Sequence, residues 1–314
     1  MMPASGYALA PAGPQAARLA QVFWAFFAVC AVVYVVVVAL LLLGALRPGA
    51  AAVDEPARLR LVAAGGVLTA LTLVGLLVVS IHGGHQLNPM RGAKDVLTVQ
   101  VIGRQWWWEL RYPGTAPDQE VVTANELHVP VGRPVLLRLV SRDVIHSFWV
   151  PELHGKRDLI PGHDSTTYIQ ADRAGVFRGQ CAEFCGTQHA QMGFLVIAEP
   201  EEKFQAWLSA QRTPAPPQEA LSAEARRGQD LFLHGTCVMC HRVAGTSAGA
   251  TMGPDLTHVG SRATLAAGSL PNVHDHLRRW VADAQSVKPG SHMPPTPLSA
   301  TDQDSLVSYL EALR

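Results

Sequence analysis

The sequence predicts a multi-domain membrane protein. A two-helix transmembrane hairpin comes first, then an all-β domain, then a small all-α domain. Three observations predict this order. Two long apolar stretches near the N-terminus carry no charge, short β-branched and aromatic runs fill the middle, and helix-capping signals frame a Gly- and Pro-rich stretch at the end. The chain has 314 residues, room for two small domains plus anchors. Its 25 Lys+Arg balance 25 Asp+Glu. The balance also holds locally, at 12 against 14 over residues 83–210 and 8 against 8 over residues 222–314, so no region has the basic excess of a nucleic-acid binder.

From Leu19 to Leu46, and again from Leu61 to Ile81, no residue is charged. A helix needs about 20 apolar residues to cross a bilayer, so both stretches qualify. The first exceeds the short apolar region of a signal peptide, which predicts an uncleaved hairpin with helices at about 19–46 and 59–82 after a tail over 1–18. Arg47, Arg58 and Arg60 lie in the connection and only Arg18 in the tail, which places the connection in the cytoplasm and everything after Ser80 outside. Cysteines kept outside the cytosol agree with that orientation.

Residues 83–211 read as the β domain. Strand signals occupy 96–112, Pro134–Val140, Phe148–Val150, Thr166–Gln170 and Phe194–Ile197, separated by Pro, Gly and Asp. Many short strands without helical periods indicate an antiparallel sandwich or barrel. An amphipathic helix over Glu201–Gln211 closes the domain. Residues 212–221, with Thr213-Pro-Ala-Pro-Pro-Gln, form a linker expected to be extended. Residues 222–314 form the helical domain. Ser222 is positioned to cap a helix reaching about Leu233, and Ser299-Ala-Thr-Asp302 is a capping-box pattern before the last helix. The loop-rich stretch between them is plausible only around a large central group.

Two motifs carry the chemistry. Cys181-Ala-Glu-Phe-Cys185-Gly-Thr-Gln-His189-Ala-Gln-Met192 puts two thiolates, an imidazole and a thioether on one loop, a donor set that suits copper. Two thiolates are able to bridge two coppers, each then needing its own His. His189 supplies one, and His146 at a strand end is the best candidate for the other, with His128, His154 and His163 as rivals by spacing. A Cys181–Cys185 disulfide, a zinc site and a copper-delivery site compete, though Met192 is a poor zinc ligand. The second motif, Cys237-Val-Met-Cys240-His241, is the attachment signal for covalent haem c. Cys237 and Cys240 would form the thioethers and His241 the proximal bond to iron. Met293 is the candidate for the second iron ligand, with His292 as the alternative, and Met252 is expected to pack.

The spacing His146…Cys181-x-Glu183-x-Cys185-x3-His189-x2-Met192 resembles the dinuclear CuA centre of cytochrome c oxidase subunit II, and Gly103-Arg-Gln-Trp106-Trp-Trp108 resembles that family's aromatic strand. The resemblance implies a cupredoxin-like barrel after the two helices. It implies that Cys181 and Cys185 bridge both coppers, that His146 and His189 bind one each, and that Met192 and the Glu183 carbonyl complete them. It further implies that the Glu183 side chain adds to a magnesium site shared with the catalytic subunit, and that Trp106 is the electron-entry aromatic. Met293 before the last helix resembles class I cytochromes c, and the fusion resembles the caa3-type oxidases. The implied function is electron entry into a haem–copper terminal oxidase that reduces oxygen to water coupled to proton pumping. The partners would be oxidase subunit I, other oxidase subunits and an external donor such as cytochrome c or a quinol–cytochrome c reductase. The place would be the bacterial plasma (inner) membrane, with both redox domains on the periplasmic face. A CuA subunit of a nitric oxide reductase, a copper-delivery or thiol–disulfide protein, and a membrane-anchored shuttle are the competing readings. Glu55, followed by Pro56, departs from the family's proton-entry pattern, and Cys30 stands alone in the first helix.

Overall fold

The computed structural model describes residues 7–47, 54–85, 96–116 and 119–314. The first six residues of the tail, most of the connection between the apolar stretches and the approach to the first strand lie outside the described residues. The chain divides into two compact units, residues 15–92 and the rest.

The first unit is built from α1 (Pro14–Ala45) and α2 (Glu55–His85), both long and apolar enough to cross a membrane. α1 starts before its expected first residue and ends at Ala45, one short of the expected 46, and α2 runs a few residues beyond its expected bounds at both ends. Proline is accepted at each start, as the first residue of α1 and the second of α2, because the first-turn amides have no intrahelical acceptor. Their large side chains are exposed, as at Leu40 and Leu68, which suits a surface covered by lipid.

The β domain opens with β1 (Leu97–Arg104) and β2 (Trp107–Tyr112). Here the expectation of one strand over residues 96–112 is corrected. A continuous strand of that length would extend about 56 Å, too long for so small a sheet. Gln105 and Trp106 turn the chain instead, pairing Gly103 with Trp108 and Arg104 with Trp107. Val99, Val101, Trp108 and Leu110 thereby all enter one core. After β3 (Val121–Ala124), Asn125 adopts φ 63° and passes the chain to β4 (Glu126–Pro130) in the second sheet. Asparagine tolerates this left-handed backbone. Its Oδ1 accepts from Trp108 N at 2.9 Å and its own amide donates to Trp108 O at 2.9 Å, which holds the corner.

The remaining strands are β5 (Val135–Ser141), β6 (His146–Trp149), β7 (Arg157–Leu159), β8 (Ser165–Ile169), β9 (Gly175–Cys181) and β10 (Gly193–Glu199). One sheet has the order β3-β2-β1-β5-β8 and the other β4-β10-β9-β6-β7. The sandwich is not wholly antiparallel, because β1 runs parallel to β5 and β4 parallel to β10. The chain's passage between sheets returns these strands beside a neighbour of the same direction. Trp108, Phe148, Phe177 and Phe194 fill the space between the sheets, and α3 (Glu201–Ala210) covers one end with Phe204 and Leu208.

The helical domain comprises α4 (Ala223–His234), α5 (His274–Ala282) and α6 (Ala300–Ala312), with a short hairpin of β11 (Thr264–Leu265) and β12 (Leu270–Pro271). Ser222 and Ser299 cap α4 and α6, accepting from Ala225 N at 3.1 Å and Asp302 N at 3.2 Å. Where α4 crosses α6, a Cβ on Gly228 would collide with the Ser305 carbonyl oxygen, so only glycine permits the approach that brings Phe232 and Tyr309 together. The Pro-rich segment is extended, with Pro217 at ψ 154°, but it does not bridge open solvent. Thr213 O accepts from His258 Nε2 at 3.1 Å, and Ala215 N donates to Ala244 O at 2.9 Å.

Replacing Gly228 by Ala is therefore expected to destabilise the helical domain by about 3 kcal/mol, at the upper end of overpacking costs, because the obstructing atom is backbone. Thermal unfolding of the Gly228→Ala chain, followed by the far-ultraviolet helical signal, checks this.

Candidate functional site

Two strand ends and one loop build the sulfur-rich site. His146 begins β6, Cys181 ends β9, and Cys185, His189 and Met192 follow before β10. Phe148 pairs with Cys181 across β6 and β9, so the sheet register itself sets His146 beside that cysteine. The sulfurs of Cys181 and Cys185 stand 3.8 Å apart and form no disulfide. His146 Nδ1 lies 3.9 Å from Cys181 Sγ, His189 Nδ1 3.6 Å from Cys185 Sγ, and Met192 Sδ 3.7 Å from Cys185 Sγ. The Glu183 carbonyl oxygen lies 3.2 Å from Cys181 Sγ. Two sulfurs at the centre, one imidazole on each, a thioether and a carbonyl on the rim form a donor set that fits a pair of soft metal ions. His146, Cys181, Cys185 and Met192 are all buried.

The electrostatics prepare Cys181 as the thiolate and couple it to its neighbours. The Cys185 thiol, hydrogen-bonded to Cys181, holds the Cys181 pKa well below the ordinary thiol value against the opposing effect of burial. Cys185 is pushed up by that same bond and by burial. Burial works to lower His146, but its hydrogen bonds to Asp143 and Cys181 outweigh it and raise the pKa. Asp143 Oδ1 lies 2.8 Å from His146 Nε2, the nitrogen turned away from the sulfur. Gln105 N and Val144 N also donate to this carboxylate, each at 2.7 Å. A carboxylate on the far nitrogen fixes the ring and its tautomer. Sequence reading assigned Asp143 no part; its position three residues before His146 was the available signal. Gly103 is required next to this ring, since a Cβ there would lie 2.7 Å from His146 Cδ2.

Trp106 Nε1 and Gln105 Nε2 both donate to Cys185 O, at 3.0 and 2.8 Å. Trp108 packs in the core, 6.0 Å from the His146 ring. The rival histidines are elsewhere. His128 pairs with Glu199 and stacks on Trp207, His154 Nδ1 faces Gly155 O, and His163 is exposed. The Glu183 carboxylate is 3.2 Å from Lys156 Nζ.

In the helical domain, Cys237 sits in the tight turn Thr236–Met239, with Cys240 and His241 directly after it. His241 N donates to Cys237 O at 3.0 Å. His241 Nδ1 donates to Pro254 O at 2.8 Å, leaving Nε2 for a ligand. Burial lowers the His241 pKa, so the ring is a neutral donor. Burial also raises the Cys237 pKa. Arg262 is half-buried with its Nε out of solvent and lacking a partner, a cation near this imidazole with a donor open to an acidic substituent of a bound group. These observations fit a haem. Met293 lies on the loop before α6, half-buried, with its carbonyl accepting from Gln285 Nε2 at 2.8 Å. His292 turns the other way and meets Trp106, ring centroids 4.9 Å apart. Met252 is exposed.

A sandwich that gathers two cysteines, two histidines and a methionine in one cluster, joined to a helical domain with a Cys-x2-Cys-His turn, defines a redox protein with two cofactor-binding domains. Residues 115–199 match the family model "Cytochrome C oxidase subunit II, periplasmic domain" and residues 225–314 match "Cytochrome c". The chain is 36 % identical to cytochrome c oxidase subunit 2 of Alkalihalophilus pseudofirmus, over 79 % of this chain and 71 % of that protein. It is 33 % identical to cytochrome c oxidase subunit 2 of Bacillus sp. strain PS3, over 73 % of this chain and 65 % of that protein. The Bacillus subtilis subunit 2 is 34 % identical, over 71 % and 64 %. The chain belongs to the cytochrome c oxidase subunit II family, in a form with a cytochrome c domain at the C-terminal end.

Replacing Asp143 by Asn is expected to weaken copper retention about 10–100-fold, the usual consequence of removing a ligand's orienting partner. Competition with a copper chelator measures it.

Proposed function

We propose that this chain is subunit II of a caa3-type cytochrome c oxidase and the point where electrons enter that complex. It would accept electrons from an external donor and deliver them to the subunit that reduces oxygen to water with coupled proton pumping. The convergence of His146, Cys181, Cys185, His189 and Met192 on one point is the observation that carries this reading. A copper-delivery reading does not explain the second domain with its Cys-x2-Cys-His turn.

Each residue has a role in this reading. Cys181, Cys185, His146, His189, Met192 and the Glu183 carbonyl would hold the copper. Cys237, Cys240, His241 and Met293 would hold haem c, the cysteines covalently and His241 and Met293 as ligands to its iron. Bound copper and haem supply one-electron redox chemistry at nearly fixed geometry. The protein contributes rigidity and dryness. The sheet register, Asp143 and the two donors on the Cys185 carbonyl keep the ligands where they are, and the burial of Met192 and His146 excludes water. Trp106, hydrogen-bonded to Cys185 O, is the proposed entry aromatic.

Phe184, 76 % exposed between the two cysteines, supports a partner subunit packed against the copper loop. In that assembly the Glu183 carboxylate would exchange Lys156 for a magnesium ion completed by the partner, since one carboxylate is a poor magnesium site by itself. The two apolar helices anchor the chain, which we place in the bacterial plasma membrane with residues 83–211 and 222–314 on the outer face and 212–221 joining them.

Purified from membranes in mild detergent, the chain is expected to emerge with oxidase subunits, copper and one covalent haem. Its paramagnetic resonance should show one electron shared equally by two coppers. Haem should stay on the chain through denaturation and be released in the Cys237→Ser/Cys240→Ser variant. A single-copper spectrum, or isolation of the chain alone, would overturn the reading.

A further inference from the structure

Lys288 is the only lysine after residue 203, and it is 3 % exposed. A buried ammonium is expensive unless its donors are met. Here Nζ donates to Gln191 O at 2.9 Å, Trp106 O at 3.1 Å and Ala266 O at 3.4 Å. Three donors thus find three carbonyls, two of them on the β domain. The carbonyls come from the residue before Met192 and from Trp106 itself, so this cation from the helical domain ends within the copper loop's own scaffold.

A second buried charge reaches in the opposite direction. Glu126, 4 % exposed at the start of β4, accepts from Thr264 N at 2.8 Å, Thr264 Oγ1 at 3.0 Å and Ala263 N at 3.1 Å. Between these anchors, Gly193 N donates to Ala267 O at 3.0 Å and Gln188 Nε2 donates to Pro289 O. Ala266 and Ala267 hold φ of 53° and 57°, a left-handed backbone that alanine adopts only at a cost. That strained pair turns the Ala267 carbonyl onto Gly193 N of the β domain and the Ala266 carbonyl onto Lys288 Nζ, and the interface compensates the strain. No ligand side chain of either redox site takes part in these bonds.

The consequence lies four residues after Lys288. The His292 ring rests on the Trp106 ring, 4.9 Å between centroids at 50°, and Trp106 Nε1 is bonded to Cys185 O. His292 is also the residue before Met293.

We propose that Lys288 and Glu126 form a reciprocal latch that keeps the helical domain permanently docked on the copper loop, and that this docking makes His292 the positioning residue joining the two redox loops through Trp106. The latch stands on contacts alone. The meaning given to His292 rests on the proposed oxidase function. A docked domain differs from one swinging on a linker, which would need no buried charges at its contact.

Hydrogen–deuterium exchange on the full chain in detergent tests the latch. Peptides covering 186–193 and 262–268 are expected to exchange slowly in the parent protein. Lys288→Met and Glu126→Gln should each speed them about tenfold or more, as loss of a buried polar partner does. Peptides from β1 and α4 should keep their protection, which shows that the variants fold. Unprotected interface peptides in the parent, or unchanged protection in both variants, would overturn the latch.

His292→Ala should leave exchange and the haem optical spectrum unchanged. It should slow the passage of one electron from reduced haem to oxidised copper after flash reduction by about tenfold, as misplaced redox partners do. His292→Phe should restore the rate. An unaltered rate in His292→Ala would overturn the role of His292. If the chain lacked either cofactor there would be no flash signal, yet exchange would still report on docking, so failure of the functional reading and failure of the latch are distinct results.

Discussion

Cys185 is held from both of its ends, and the rest of the β domain's site is organised by that restraint. Its sulfur faces Cys181, His189 and Met192, while its carbonyl accepts from Gln105 and Trp106. The first set of contacts defines a metal site and the second ties that site to the β1–β2 turn. The turn is anchored in its own right, since Gln105 N donates to Asp143, which also orients His146. The two halves of the donor set, from β6 and from the loop after β9, therefore share one hydrogen-bonded frame. In the proposed function such a closed frame lets the site gain and lose electrons without moving its ligands.

The helical domain rests on a different constraint. Its helices are short, and its middle segment has little regular structure. The packed cluster around Phe232, Leu306 and Tyr309 sits where α4 crosses α6. On the other side the His241 ring offers Nε2, and Arg262 carries an unsatisfied buried nitrogen. A buried polar atom without a partner calls for one, and an acidic substituent of a haem held at His241 would supply it. A bound haem would serve as core and as cofactor at once.

Much of this was legible in the sequence, for identifiable reasons. The apolar helices, the capping serines 222 and 299 and the metal motifs are local patterns, and local patterns survive without knowledge of the fold. The β1–β2 turn was not legible, because Gln105-Trp106 lacks the Gly and Asn signals of a tight turn and sits inside an aromatic run that reads as strand. The parallel pairs β1–β5 and β4–β10 depend on the corner at Asn125, one residue among many polar ones. α5 was missed for lack of a capping side chain at Val273. Asp143, Glu126 and Lys288 act through partners that no spacing rule reveals. His292 read as a rival ligand to Met293, and only the structure turns it toward Trp106.

The linker exposes the deepest difference between pattern and structure. Its composition implies a spacer, and a spacer implies that the cytochrome domain finds the copper domain by raised effective concentration. The residues obey their composition, since the segment is extended, yet Thr213 and Ala215 are bonded to the helical domain they precede. An extended segment laid on a domain restricts it as much as it tethers it. Buried charges at the far contact then favour a single seating, because an ammonium and a carboxylate removed from water tolerate few alternative positions. Electron transfer between two such domains would be set by a standing geometry, and its speed by a few side chains at the seam.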